Sequence, residues 1–449
     1  MIITPAATTS APGRKRLGEL AYRFQLADPA CRQAVTAILD AIRERGDEAL
    51  LEYTRRFDAP NMTREQLQVS PAELEDAYRN MDADLMKSLR LAKERIWAFH
   101  AREMEQSWIM TRDDGTITGR LVRPVASAGL YVPGGQGGKT PLVSSVLMNG
   151  IPAAIAGVSQ RVMVTPPNAE GKVNPALLVA AQETGITEIY KTGSAWAIGA
   201  LAFGTEIIPA VDVIVGPGNQ YVAEAKRQVS GKVGIDMIAG PSEVLIVADH
   251  TAKPAFIAAD MLAQAEHDPQ ALAILVTTDQ DIALQTVVEL EKQLVLLSRA
   301  DIARRSLAER GTILVCASLD EAMDIANDIA IEHLELMVAD PFSWLPRIQH
   351  AGAIFLGDYS PEACGDYVAG PNHVLPTMGT ARISSALGVE TFLKKSSLIS
   401  CSRAAFLADA PHIVNLANLE GLTAHARSVS VRLEKESRKQ GGKPLPPRT

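Results

Sequence analysis

Between Asp28 and Met104 apolar residues recur at helical spacing. Ala34, Ala37, Ile38 and Ile42 mark one face, and a second run of this kind covers Pro71 to Met104. The texture then changes to short β-rich runs that end in glycine or proline, each followed by a helical run. Ser127–Val132 leads through Pro133-Gly-Gly135 into an apolar helix around Leu142–Met148. Arg161–Thr165 precedes a helix with Asn174 as N-cap, Pro175 in its first turn and Gly185 beyond its end, the expected placing of proline and glycine. Glu188–Thr192 and Val211–Val215 continue the series. Strands alternating with helices in this way predict a parallel sheet covered on both faces.

A second series follows: Glu243–Ala248, a helix holding Gln264 and His267, Ala271–Thr277, a helical run from Asp279, Thr312–Val315, a helix opened by a Ser318-x-x-Glu321 capping box, Leu334–Val338 and Ala353–Leu356. The fold class is therefore α/β: two Rossmann-like parallel-sheet domains with a helical N-terminal region and an extended, partly helical C-terminal tail. The expected division is an N-terminal arm 1–25, a discontinuous domain 26–129 with 239–380, a second domain 130–238, a tail 381–434 and a disordered end 435–449. From Gly379 the tail reads as irregular, then as a helix over Leu416–Glu434. Ligands of open parallel sheets bind beyond the carboxyl ends of strands, and most motifs below are expected there.

Composition narrows the function classes. With 449 residues, 47% hydrophobic and 21% charged, the chain can bury large cores. A net charge of −8 without a basic patch before the last residues argues against a nucleic-acid binder. Cys31, Cys316, Cys364 and Cys401 form no C-x-x-C pair, so no zinc finger or disulfide framework is implied. The first residues lack the apolar core of a signal peptide, and no run is long enough to span a membrane. A cytoplasmic protein acting on small molecules is expected.

Several stretches carry candidate chemistry. Gln264 and His267 lie three residues apart at a helix end before Pro269, where one ion can be held by both, and Asp260 faces the same way. Gly134-Gly-Gln-Gly-Gly-Lys139-Thr140 resembles a phosphate loop, but the position that demands its first glycine holds Pro133, which argues against an ATPase or GTPase. Gly216-Pro-Gly-Asn219 follows an apolar strand and opens a helix, a place for a dinucleotide. Glu332-His333, read as closing the helix begun at Ser318, pairs a carboxylate with an imidazole suited to proton transfer. Gly357 to His373, a carboxylate-rich loop holding Glu362 and Asp366, suits the wall of an active site, and Glu420 and His425 share the tail helix. A solvated helix face or polar loop is the plain alternative for each.

Taken together these stretches resemble the histidinol dehydrogenase family. The matching segments are Gly129-Leu-Tyr-Val-Pro-Gly-Gly135, Val215-Gly-Pro-Gly-Asn219, Ile235-Asp-Met-Ile-Ala-Gly-Pro-Ser-Glu-Val244, Gln264-Ala-Glu-His267, Glu332-His333-Leu334, Gly365-Asp366-Tyr367, Asn372-His-Val-Leu-Pro-Thr377 and Glu420-Gly-Leu-Thr-Ala-His425, in the family's order. The resemblance implies NAD-dependent oxidation of L-histidinol to L-histidine in histidine biosynthesis. It implies one zinc per subunit on Gln264, His267, Asp366 and His425, with Glu332 and His333 as the acid/base pair. Substrate contacts fall to Ser242, Gln264, His267, His333, Asp366, Glu420 and His425, and cofactor contacts to Tyr131, Trp196 and Asn219. It further implies a homodimer in which Glu420 and His425 serve the other subunit's site. Trp196 departs from the family's glutamine: indole stacks on rings but cannot reproduce both hydrogen-bonding roles of an amide. The loop Gln136–Lys139 also reads as longer than in the family. Two other readings stay open: a zinc and NAD enzyme of this fold acting on another amino- or hydroxy-alcohol, and a nucleotide binder without dehydrogenase activity.

Overall fold

The computed structural model describes residues 2–23, 28–134 and 141–439. The loop Gln136–Lys139 and residues 440–449 lie outside the described residues. The chain divides into two units, one of residues up to Met104 with Pro124–Phe392, the other of Glu105–Arg123 with the residues from Leu393 onward. The strands, in chain order, are β1 (Ala6–Ala7), β2 (Trp108–Thr111), β3 (Ile117–Pro124), β4 (Ser127–Tyr131), β5 (Gln160–Thr165), β6 (Glu188–Lys191), β7 (Val213–Val215), β8 (Gly234–Ile235), β9 (Glu243–Ala248), β10 (Leu272–Thr277), β11 (Thr312–Val315), β12 (Ile331–Met337), β13 (Ala351–Leu356) and β14 (Leu393–Ser400).

In the first unit, two parallel sheets form as the alternation predicts. One has the order β6-β5-β4-β7-β8, the other β1-β11-β10-β9-β12-β13. Strands such as Glu243–Ala248 and Leu272–Thr277 are buried along their whole length, which accounts for their continuous apolar runs. In each sheet the chain moves outward in one direction, then returns to the other side of its starting strand. The reversal falls between β4 and β7 in one sheet and between β9 and β12 in the other. The N-terminal arm supplies β1, an edge strand of the six-stranded sheet, and the helix Ala11–Ala21.

The helix Pro29–Arg45 does not join the six-stranded sheet, as the expected grouping of 26–129 with 239–380 has it. Its Val35, Leu39 and Ile42 belong to the core that contains Val162, Val164 and Ile214 of the five-stranded sheet. Apolar spacing shows that a helix has a buried face, and is silent about which sheet receives it.

The six-stranded sheet places the key pair differently from the sequence reading. The helix opened by Ser318 ends at Ile329, and Ala330 caps it in the left-handed region (φ 50°, ψ 62°). Glu332 and His333 therefore stand on β12, not on a helix. The register sets His333 beside Val244 and Glu335 beside Ile246, so His333 and Glu335 point to the face covered by the helix Pro254–Ala265.

The second unit contains β2 and β3, paired antiparallel, with β14 beside β3. Two helices, Arg403–Leu419 and Thr423–Lys439, replace the single tail helix expected over Leu416–Glu434. Ser402 caps the first, its hydroxyl accepting from the Ala405 N–H at 3.0 Å. Gly421 (φ 71°) ends it, since that backbone conformation favours a residue without Cβ. The second helix runs to Lys439, beyond the expected start of disorder at 435.

Gly216 sits just after β7 with φ 112°, and a Cβ there would lie 2.1 Å from the Tyr131 carbonyl oxygen at the end of β4. Gly231 also has positive φ (91°), but nothing lies within 4 Å of its added Cβ. Gly231→Ala should cost about 1–2 kcal/mol through backbone strain alone, and Gly216→Ala about 2–4 kcal/mol because two strands must separate. Denaturant unfolding of both variants measures the difference; equal losses would show that the close approach at Gly216 is not limiting.

Candidate active site

β9 and β12 hold the centre of the site. The Glu243 N–H, at the start of β9, donates to Glu332 Oε2 at 2.7 Å. His333 Nδ1 lies 3.0 Å from the Glu243 carbonyl oxygen. A carbonyl only accepts, so Nδ1 carries the hydrogen and Nε2 keeps its lone pair. Ser242 immediately precedes this residue, its carbonyl accepting from the Leu272 N–H.

The helix Pro254–Ala265 covers the same face and brings Asp260 and Gln264. Gln264 is fully buried, and among the described residues neither atom of its amide finds a hydrogen-bond partner. Leaving both atoms unpaired in the interior costs on the order of 1–3 kcal/mol each. His267 follows the helix end, its N–H donating to the Gln264 carbonyl at 3.3 Å, so the expected one-sided placing of Gln264 and His267 continues past the helix as a turn.

The segment expected as a loop from Gly357 contains a short helix, Glu362–Tyr367. It starts against the middle of β12, where the Glu362 N–H donates to Glu335 Oε1 at 2.9 Å. Four residues on, Asp366 shares its face. Ligand atoms of His267, Glu362 and Asp366 all lie within 4.8 Å of one another. His373 Nδ1 stands 3.5 Å from Asp366 Oδ1, and His333 Nδ1 stands 3.7 Å from both Glu332 Oε2 and Glu362 Oε1. Sequence reasoning quoted Glu362 within the loop and gave it no role. Its i,i+4 spacing to Asp366 was the available signal.

Burial sets the protonation of these groups. It pushes the Glu332 carboxyl well above the usual carboxylate range, with the nearby Glu243 and Asp366 adding to the effect and the Glu243 N–H opposing it. Burial pulls the His333 imidazole down to about 4. Glu362 is raised by burial and then by Asp366, Glu332, Glu335 and Asp260. Glu335 is raised by burial and by Asp260, while burial lifts Asp260 itself to about 6. Asp366 goes the other way: burial is outweighed by the His373 hydrogen bond and by the imidazoles of His373, His333 and His267.

The carboxylates of Glu362 and Asp366 and the imidazole of His267 make a donor set of nitrogen and oxygen that fits a divalent cation such as zinc, and the unpaired buried amide of Gln264, three residues before His267, is of the same donor type. A cation draws such carboxyls back to their charged form. These groups lie at the amino ends of β9 and β12, whereas the sequence reading looked for them at carboxyl ends. The reason is that His333 is only the third residue of β12, and His267 stands in the connection leading into β10.

The expected cofactor residues do lie at carboxyl ends, in the five-stranded sheet. Tyr131 closes β4, and its buried hydroxyl oxygen accepts from the Ser194 N–H at 3.2 Å. Trp196 lies in the first turn of the helix Ser194–Phe203. Its indole is not free: it stacks on Tyr53 and Phe57, at centroid distances of 5.8 and 5.3 Å. Those two rings are presented together at i,i+4 on the helix Asp47–Phe57. Asn219 caps the helix Gln220–Val229, its Oδ1 accepting from the Tyr221 and Val222 N–H groups. Glu420 and His425 belong to the second unit, flank the break between its two helices, and are both exposed.

The model of the histidinol dehydrogenase family matches residues 22–433. The chain belongs to the histidinol dehydrogenase family. It is 65% identical over 434 residues to the histidinol dehydrogenase of Desulfotalea psychrophila, covering 97% of this chain and all of that one. The corresponding protein of Nitratidesulfovibrio vulgaris is 55% identical, with 90% and 93% covered. The crystal structure of histidinol dehydrogenase from Elizabethkingia anophelis matches with a TM-score of 0.90 at 38% identity, covering 97% of this chain and 99% of that one. A histidinol dehydrogenase family member is an oxidoreductase. No helix among the described residues is long and apolar enough to cross a membrane.

Asp58 adds a titrating group beside the Tyr131 end of this histidinol dehydrogenase fold. Burial pushes its carboxyl from 3.8 to about 7, and its charge adds a little to the rise that burial imposes on the Tyr131 hydroxyl. The charged form is the one the fold disfavours. The penalty is therefore absent below the ordinary value, grows as pH rises from about 4 to about 7, and is full above that. Asp58→Asn should raise the thermal midpoint by a few degrees at about pH 8 and leave it nearly unchanged at about pH 4. Thermal melts at both values check this; an equal shift at each would remove Asp58 titration as the cause.

Proposed function

We propose that this chain oxidises L-histidinol to L-histidine through histidinaldehyde, using NAD and one zinc per subunit. The observation that carries the reading is the geometry around Glu243. One backbone residue holds both Glu332 and His333, beside the cluster of His267, Glu362 and Asp366.

The chemistry follows from the protonation states. His333 is neutral at physiological pH because burial lowers its pKa to about 4, and its Nε2 lone pair is free to take the alcohol proton as the first hydride leaves. The aldehyde must then be hydrated before a second hydride departs. Glu332, shifted up from the usual carboxylate range, is suited to exchange a proton with that water, with His333 assisting. NAD supplies a two-electron acceptor, so an alcohol taken to a carboxylate requires two hydride transfers.

Gln264, His267 and Asp366, with His425 donated by a second copy of the chain, would hold the zinc, and Glu362 stands within the same cluster. Zinc in that place supplies a Lewis-acidic anchor for nitrogen and oxygen atoms of the substrate. Ser242 and Glu420 complete the substrate contacts. Tyr131 and Asn219, with Trp196 acting through its aromatic stack, form the cofactor side. The position of Tyr131 and Asn219 at the strand ends beside the reversal of the five-stranded sheet supports that assignment.

A homodimer sharing its sites is supported by the second unit, where Leu416, Leu419 and Leu422 are exposed around Glu420. Monomers rarely leave such apolar residues grouped together in water.

Two measurements test the reading. Purified protein given L-histidinol and excess NAD should form two NADH per substrate consumed; a ratio of one, or no reduction, would overturn it. A chain ending before Glu420 and a full-length His267→Ala chain should each be inactive, the second without zinc. Mixing them under subunit exchange should restore roughly a quarter of the wild-type activity, because half of random dimers hold one intact site. Failure of any restoration would argue that each site is built from one chain.

A further inference from the structure

We infer that Arg23 and Glu243 are positioning residues for the Glu332–His333 pair, acting through a buried ion pair that fixes the backbone from which both side chains emerge. This rests on the assignment of Glu332 and His333 as the acid/base pair.

Neither residue belongs to the cluster that faces substrate. Glu243 is 1% exposed and Arg23 8%. Their contact is bidentate, Arg23 Nε to Glu243 Oε1 and Nη2 to Oε2, both at 2.6 Å. The remaining guanidinium hydrogens go to backbone. Nη1 donates to the Leu20 carbonyl at 3.0 Å and to the Ile329 carbonyl at 2.6 Å, and Nη2 to the Ala330 carbonyl at 3.5 Å. Glu243 Oε2 also accepts from the Met378 N–H at 3.0 Å.

Three segments that the chain order keeps far apart are thus tied to one carboxylate. The first is the end of the N-terminal helix, through Arg23. The second is the turn Ile329–Ala330, two residues before Glu332. The third is the loop at Met378. Two of the three non-glycine residues with positive φ among those described, Ala330 (50°) and Met378 (53°), are held by these bonds. Such conformations persist only where the surroundings over-determine them, and they gather where geometry matters to function.

Stability alone is a poor account of the pair. A buried ion pair is often matched or exceeded by apolar residues of equal volume, because desolvation offsets the attraction. What apolar residues cannot do is hold two carbonyls, an amide and a carboxylate at fixed distances. The same residue whose side chain accepts the guanidinium offers its N–H to Glu332 and its carbonyl to His333. Movement of the Glu243 backbone by a fraction of an ångström therefore reaches both at once.

The test uses the full-length enzyme carrying Glu243→Gln, and separately Arg23→Lys, which keeps the charge but loses the planar fork. Wild-type turnover of histidinol is measured first; its absence defeats the proposed function, and this inference falls with it because the pair then has no proton-transfer role to position. With turnover established, Glu243→Gln should lower kcat per folded chain about 100-fold, the loss that a small misplacement of reacting groups produces. KM for histidinol should change by less than about threefold, and Arg23→Lys should give an intermediate loss in kcat. In a His333→Asn background the loss on adding Glu243→Gln should shrink to less than about threefold, because residues acting as one unit are not additive. A loss of the same size in both backgrounds, or kcat retained within about threefold in both single variants, would overturn the inference. If Glu243→Gln does not fold, Arg23→Lys carries the same comparison.

Discussion

The parallel pairing of β9 with β12 is the constraint on which the site depends. Their register places His333 opposite Val244 and so brings the imidazole to the Glu243 carbonyl. A slip of one residue would turn His333 and Glu335 away from the helix Pro254–Ala265 and put Leu334 against it. Register here is strongly specified, because both faces of β12 are buried: Leu334 and Leu336 enter one core, and Met337 the other. Hydrophobic burial on two sides thus fixes the place of two polar groups.

Much of this was legible along the chain, and the failures have identifiable causes. β9 and β11 were read to the residue, because strands buried on both faces are short unbroken apolar runs. β12 was read three residues short. Its start, Ile331-Glu-His333, has charged and polar residues that extend the amphipathic spacing of the preceding helix, and the left-handed cap at Ala330 has no sequence signal because alanine rarely adopts it. β2, β3 and β14 were not read at all. Trp108–Thr111 is exposed at every position and Leu393–Ser400 at most of them, so pairing there leaves no alternation to find.

The site divides along similar lines. Gln264, His267, Glu332, His333 and Asp366 were named from short motifs, and the structure brings His267, Glu332, His333 and Asp366 into one network of contacts and charges. The part played by Glu362 was missed, because its i,i+4 spacing to Asp366 carries meaning only on a helix and the segment reads as a loop. Trp196 was taken for a free stacking surface, yet Tyr53 and Phe57, more than 130 positions earlier, already occupy it. Contacts of that separation are decided by which sheet a helix packs on, and apolar periodicity does not carry that information.

The buried carboxyls tie the His267–Glu362–Asp366 cluster and the Glu332–His333 pair into one electrostatic unit. Asp260, Glu335, Glu362 and Glu332 all have raised pKa values, and each lifts or is lifted by at least one other acidic group or by burial. A fold that gathers so many acids in its interior must supply either protons or positive charge, since isolated buried carboxylates cost several kcal/mol apiece. Protons alone satisfy Asp260 and Glu335, whose carboxyls share a hydrogen bond. They do not satisfy Gln264, whose amide still lacks partners, or account for Asp366, whose carboxyl the His373 hydrogen bond helps to hold below the usual range despite burial. A cation at the His267–Glu362–Asp366 cluster would favour the charged form of Asp366 and lower the cost of ionising Glu362. Glu335, farther along β12, is then the acid that burial and Asp260 keep toward its protonated form. The raised pKa values of Asp260 and Glu335 come first from burial, to which Asp260 adds at Glu335.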